Sequence, residues 1–304
     1  MKRTGSPAGP RREPGAVGRR EFLGIAGVGL ASLSPLARRV ARLPAESFRA
    51  PVSRIPKVGL QLYTVRGLLK TDFEGTLTKV ARIGYQEVEM TDFFGHPPAE
   101  VRKLLDRLGL SAVSMHFDYA KLPAGLDEMI ADAHTMGMQY VTFAWIPEEL
   151  RKDVDGWKRV GENLTRTGEK CRAAGLQLAY HNHSYEFKPL QGQLPYDVLL
   201  ASSDPKLVEA EMDLYWITDG GQDPLAYFAK YPGRFTQVHA KDMAPGPGPD
   251  HTMVDVGKGI IDWKKIFAHS AQAGIKHYYV EHDDPPHPLS DIQISYEYLK
   301  NLDF

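Results

Sequence analysis

The chain has 304 residues, 42% hydrophobic and 25% charged, enough for one large buried core or two smaller ones. Its formal net charge of −1 conceals an asymmetry: residues 1–50 hold ten of the 37 Lys and Arg but three of the 38 Asp and Glu, so the rest carries −8. An acidic body argues against a nucleic-acid partner, because phosphate binding needs a basic surface, and a single cysteine, Cys171, excludes an intrachain disulfide.

In chain order, the first feature is Arg19-Arg20-Glu21-Phe22-Leu23 before a Gly- and Ala-rich apolar run over 24–36. Charge, Phe-Leu and a weak apolar run in that order resemble a twin-arginine export signal. Residues 1–50 are therefore expected to be signal and linker, with the twin-arginine machinery as a partner and the periplasm or exterior as destination. The plainer alternative is a basic tail with a chance Arg pair. The apolar run is shorter than the roughly 20 residues of a stable membrane span. Ala37, Ala41 and Ala45 are all candidate cleavage points, and no cysteine lies there to carry a lipid anchor.

From residue 51 the sequence alternates short apolar runs with longer amphipathic ones. Strands are expected over 58–63, 87–90, 112–116, 140–144, 176–182, 208–213, 236–239 and 278–281. Helices are expected over 73–83, 99–108, 126–136, 157–174, 196–201, 224–230, 263–273 and 291–299. Several of them stop at a glycine, such as Gly109 and Gly137, which ends a helix cheaply in the left-handed conformation. Eight strand–helix units over residues 51–304 predict an α/β fold, a single (β/α)8 barrel. An open doubly wound sheet fits less well, since no Gly-x-Gly-x-x-Gly follows the first strand. Residues 244–250 read as a Pro/Gly loop, and Cys171 as a packed side chain in a helix.

The active site of such a barrel lies at the C-terminal ends of its strands. Polar side chains collect there: Glu87 and Glu89, His116, His181 and His183, Asp213, His239 with Lys241 and Asp242, and Glu281 with His282 and Asp283. His181, Asp213, His239 and Glu281 are separated by 32, 26 and 42 residues, each about one β/α unit. They should therefore stand on consecutive strands at one level. A lone His or Asp at a strand end is more often a solvated loop residue or a helix cap, but four in register point to a metal site. Two imidazoles with two carboxylates suit Mn, Co, Fe or Zn better than an all-oxygen Mg or Ca cage. The neighbours stay open. His183 and Glu186 read as substrate or proton-transfer groups, or as caps; His116 as a site residue or a satisfied core histidine. Lys241 either meets a substrate oxygen or pairs with Asp242. Gly257-Lys258-Gly259 reads first as an ordinary loop rather than a phosphate cradle. Trp145, Phe117, Tyr63 and Trp216 are candidates for an apolar wall against a sugar ring, or rim packing.

At this point the chain resembles the sugar phosphate isomerase/epimerase family, the xylose isomerase-like barrels. The resemblance is carried by Gly59-Leu-Gln-Leu-Tyr-Thr-Val-Arg66, Gly84-Tyr-Gln-Glu-Val-Glu89, His181-Asn-His183 with Glu186, Met212-Asp213, Val238-His-Ala-Lys-Asp242, Val256-Gly-Lys-Gly-Ile-Ile-Asp262 and Tyr279-Val-Glu281. It implies one divalent ion, most often Mn2+, with Co2+, Zn2+ or Mg2+ as alternatives, held by His181, Asp213, His239 and Glu281. It further implies a sugar or cyclitol substrate. Family epimerases commonly carry Glu on both strands five and eight as paired bases; this chain has His181 where the first would stand. The related inosose dehydratases use the same barrel for a β-elimination, and some relatives act on 3-keto sugars.

The chemistry this implies is metal-assisted proton abstraction next to a carbonyl, through an enediolate. Glu281 is the expected base, with His183 or Glu186 as the second proton-transfer group. His116, Lys241, Glu89 and Trp145 are the expected substrate contacts. An isomerase or epimerase is the first reading, a lyase or hydrolase on a keto-sugar or keto-glycoside the second, and a non-catalytic secreted sugar-binding protein the third. Self-association is left open.

Overall fold

The computed structural model describes residues 53–246 and 252–304. The expected export signal of residues 1–50 lies outside the described residues, as do residues 247–250 of the expected Pro/Gly loop. Eight strands form the barrel: β1 (Val58–Gln61), β2 (Glu87–Met90), β3 (Ser111–Phe117), β4 (Tyr140–Phe143), β5 (Gln177–His181), β6 (Val208–Asp213), β7 (Phe235–Ala240) and β8 (His277–Val280). All neighbours pair in parallel, and β1 closes the barrel on β8 with Val58 opposite Tyr278. Among the described residues, no helix is long and apolar enough to cross a membrane.

The strands alternate in side-chain character with period two, as the pleat requires. Leu60, Val88, Val141, Leu178, Met212, Val238 and Val280 belong to the main apolar core. Each such residue, when fully buried, stabilises the fold by about 1.5–3 kcal/mol. The intervening residues point into the barrel, and many are polar. Hydrogen bonds that cross the interior between non-adjacent strands demonstrate it: His116 of β3 meets Glu211 of β6 at 2.7 Å, and His239 of β7 meets Glu89 of β2 at 2.7 Å. Barrels of this type usually fill that space with branched apolar side chains. Here a small cluster of Val113, Tyr140, Ala179 and Tyr279 is separate from the main core. Gly59 makes room for it: a Cβ there would lie 2.6 Å from the Tyr279 ring.

The helices follow the expected order with shifted ends. The predicted helix over 157–174 begins earlier, as Val154–Ala173, because the Asp153 carboxylate accepts from Gly156 N and caps it. The predicted helix over 263–273 is two pieces, Trp263–Phe267 and Ser270–Ala273. A short helix, Leu214–Asp219, follows β6 directly and was not expected; Asp213 itself caps it. Asp242–Met243 pairs antiparallel with Met253–Val254, an extra hairpin beyond the barrel.

Glu87 corrects one expectation. It opens β2 rather than ending it and sits at the end of the barrel away from the candidate site, where its carboxylate meets His277 Nδ1 at 2.8 Å and Lys57 Nζ at 3.4 Å. Burial alone would raise its pKa, but His277 and Lys57 outweigh burial and lower it from the ordinary 4.5. A carboxylate whose folded value lies below its unfolded one contributes stability above the unfolded value and loses it as pH falls through the folded one. Glu87→Gln is expected to cost about 1–2 kcal/mol at pH 7. The gap from the parent chain should narrow as pH falls below 4.5, which urea denaturation at several pH values would measure.

Candidate metal centre

His181 ends β5, Asp213 ends β6, His239 lies one residue before the end of β7 and Glu281 follows β8. Register places Asp213 opposite His239, and His239 opposite Tyr279, two residues before Glu281. One ligand atom from each of the four lies within 4.8 Å of all the others, and all four residues are buried. His181 Nε2 stands 3.1 Å from His239 Nδ1, and that nitrogen stands 2.8 Å from Glu281 Oε2. Asp213 divides its labour. Oδ1 accepts from Tyr215 N and Trp216 N and so caps the helix after β6. Oδ2 accepts no well-formed hydrogen bond and faces His181 Nε2 at 3.5 Å and His239 Nδ1 at 3.7 Å. This buried carboxylate oxygen is held only by ion-pair contacts, to these two imidazole nitrogens and to Lys241 Nζ at 3.1 Å, and so could also serve a divalent cation. The four residues fit the expected ion.

Lys241 belongs to the same cluster. It is 1% exposed and reaches Asp213 Oδ2 at 3.1 Å, Glu281 Oε2 at 2.8 Å and Asp283 Oδ1 at 2.6 Å, with the Trp216 ring 5.2 Å away. Burial would depress the ammonium, but the three carboxylates hold its pKa well above the ordinary value. Burial would raise Glu281; Lys241 and His239 instead hold it well below the usual carboxylate range, so it is ionised at neutral pH. Burial, aided by the charges of His239 and His116, lowers His181 to about 4 and keeps it a neutral, ligand-competent imidazole.

His183 stands nearer the mouth. Its ring stacks on Tyr185 with centroids 5.5 Å apart and lies 5.9 Å from both Trp145 and Trp216, and its Nδ1 has no hydrogen-bond partner. Burial together with His181 and Lys241 keeps it neutral. Trp145 is 52% exposed at this rim, with the Arg151 guanidinium 4.7 Å over its ring. Glu186 is fully buried behind His183: Tyr180 OH donates to one oxygen at 2.7 Å and His183 N to the other at 2.9 Å. Burial raises it to about 8, so at pH 7 it is mostly a neutral acid. His116 and Glu89 flank the four residues: the His116 ring lies 5.0 Å from that of His181 and 5.4 Å from that of His239, and the His116 side chain stays 17% exposed. His116 Nε2 meets Glu211 Oε2 at 2.7 Å and Glu89 Oε2 at 3.3 Å; burial opposes but the two carboxylates raise it to about 10. Glu89 is surrounded by donors: Ser114 Oγ, Gln61 Nε2, His116 and His239. Phe117 is part of the apolar core, and Tyr63 lies beneath the Arg66 guanidinium.

One of the expected alternatives falls, and one residue was missed. Lys241 does not pair with Asp242, whose carboxylate points the other way and accepts from Met243 N, Gly257 N, Gly259 N, Ile261 N and Trp263 Nε1. The glycine-rich turn is thus an ordinary loop whose amides already hold an internal anion. Glu211 went unrecognised in the sequence. The signal was Glu209-x-Glu211-x-Asp213, a period-two acidic row that puts two carboxylates on the same face as Asp213. Asp242→Ala would leave five donors without their acceptor. It should cost about 3 kcal/mol or more and expose 255–261 to proteolysis, as thermal melting and limited digestion would report.

With this geometry established, similarity to known proteins places the chain. The family model for the xylose isomerase-like TIM barrel matches residues 77–302. The chain is 25% identical over 266 residues to the inosose dehydratase of Lacticaseibacillus casei, covering 76% of this chain and 89% of that protein. It is likewise 25% identical over 272 residues to the inosose dehydratase of Geobacillus kaustophilus, covering 74% and 86%. A solved structure of a sugar phosphate isomerase/epimerase from Parabacteroides distasonis has 26% identity and a TM-score of 0.68, covering 85% of this chain and 98% of that one. The protein belongs to the xylose isomerase-like TIM barrel family.

Proposed function

We propose that this enzyme removes a proton from the carbon next to a carbonyl in a sugar or cyclitol and then expels the substituent on the following carbon, a β-elimination of the dehydratase kind. The observation that carries the reading is the convergence of His181, Asp213, His239 and Glu281 on one point. Two inosose dehydratases that align over nearly their whole length favour elimination as the outcome.

A divalent ion on those four residues, with Mn2+ the first candidate and Co2+, Zn2+ or Mg2+ behind it, would polarise the substrate carbonyl and acidify the adjacent C–H. The protein's own groups do the rest. Glu281, ionised at pH 7, accepts the proton. Lys241, buried and charged, donates to an oxygen on which negative charge grows. His183, with one ring nitrogen unpartnered, relays a proton to the departing group. Glu186 holds the His183 backbone and so positions that ring. Trp145, exposed at the rim, and Trp216, beside Lys241, offer apolar faces to a sugar ring.

Isomerisation or epimerisation is the second reading, favoured by the 26% identity to the Parabacteroides distasonis isomerase/epimerase. It needs a second base on the opposite face, and His181 in place of a second carboxylate makes that less direct. The two outcomes separate in deuterium oxide. With a keto-cyclitol or keto-sugar, elimination yields a product lighter by one water. Isomerisation yields a product of unchanged composition carrying solvent deuterium. Glu281→Gln is expected to lower either rate by 10² or more, and a chelator should abolish it until Mn2+ is restored. Full turnover by the Gln variant or by the chelated enzyme would refute the scheme.

The Arg19-Arg20 segment supports action outside the cytoplasm after twin-arginine export. The double change R19K/R20K should then leave the protein in the cytoplasm, as cell fractionation would reveal.

A further inference from the structure

We propose that the barrel holds a second divalent-cation subsite beside the first, formed by Glu89, His116 and Glu211, with His239 shared between the two. The inference depends on the reading of the first four residues only through His239, and on no particular sugar reaction.

Ligand-type atoms of Glu89, His116, Glu211 and His239 all lie within 4.8 Å of one another, the same compactness as the first set. Their closest approaches are 2.7, 2.7, 3.3 and 3.4 Å, against 2.8, 3.1, 3.5 and 3.7 Å in the first. His239 serves both: Nδ1 faces the carboxylates of the first set and Nε2 those of the second. The donor chemistry is alike, two imidazole nitrogens and two carboxylate oxygens, which suits the same borderline ions.

Three independent features show that the second set is constructed for a purpose. The parallel register shifts between Val88 and Glu89 and again between Ala210 and Glu211, so both carboxylates sit where the backbone is irregular. Such irregularities re-aim side chains at sites. Glu89 is braced from behind by Ser114 Oγ at 2.6 Å and Gln61 Nε2 at 2.8 Å, the outer-layer bonding that orients a ligand carboxylate. Glu211 Oε1 is fully buried and accepts no hydrogen bond, leaving coordinating capacity unused.

Metal-free full-length protein titrated with Co2+ under equilibrium dialysis gives the test. Two ions per chain are expected, falling to one in Glu211→Gln and to one in Asp213→Asn. A wild-type endpoint of one ion overturns the proposal that the two subsites coexist. Asp213→Asn then tells the readings apart: loss of that ion keeps the first site alone, whereas its retention removes the first site and assigns the ion to the second set. The wild-type endpoint decides the proposal even if a variant fails to fold.

Discussion

One imidazole ties the interior of this barrel together. His239 has carboxylates on both sides of its ring, Glu281 at 2.8 Å from Nδ1 and Glu89 at 2.7 Å from Nε2, and it is fully buried. A histidine bonded at both nitrogens has neither a free tautomer nor a free rotamer. His181, Asp213 and Glu281 can then aim at a fixed point, because the ring they share is held from its other side. The remaining charges arrange themselves around that ring: Lys241 among Asp213, Glu281 and Asp283, and His116 between Glu211 and Glu89. Ions taken out of water are costly unless paired, and here each faces an oppositely charged or imidazole partner, with Asp213 Oδ2 and Glu211 Oε1 left without a hydrogen bond.

The fold makes this possible by reversing the usual filling of a barrel. The outer face of each strand carries the apolar residues that bind the helices, so cohesion does not depend on the interior. The interior is then free to carry polar rows. Period-two alternation stacks Glu211 below Asp213 on β6 and Gln237 below His239 on β7. The same alternation accounts for the vertical order of the site: Glu87 with His277 at the far end, Glu89 with Glu211 in the middle, and the proposed catalytic groups at the mouth.

Most of this order was legible in the sequence. Apolar runs and the glycines that end helices located all eight strands, because both signals arise from local backbone physics. The convergence of His181, Asp213, His239 and Glu281 was legible because barrel geometry converts spacing along the chain into neighbourhood at the rim. What stayed hidden depended on contacts across the barrel. Glu89 and His116 were expected to meet substrate; their protein partners, Ser114 and His239 for Glu89 and Glu211 for His116, could not be read from the sequence. Glu211 was overlooked inside a strand. One of the two readings of Lys241 paired it with Asp242, but adjacent strand residues point to opposite faces, which sends the two apart.

The central claim is convergence on a cation. Crystals grown with Mn2+ and measured on both sides of its absorption edge address it most directly. The account predicts an anomalous peak within bonding distance of His181, Asp213, His239 and Glu281. A fully loaded crystal with no peak there, or with its only peak away from the barrel mouth, would contradict it.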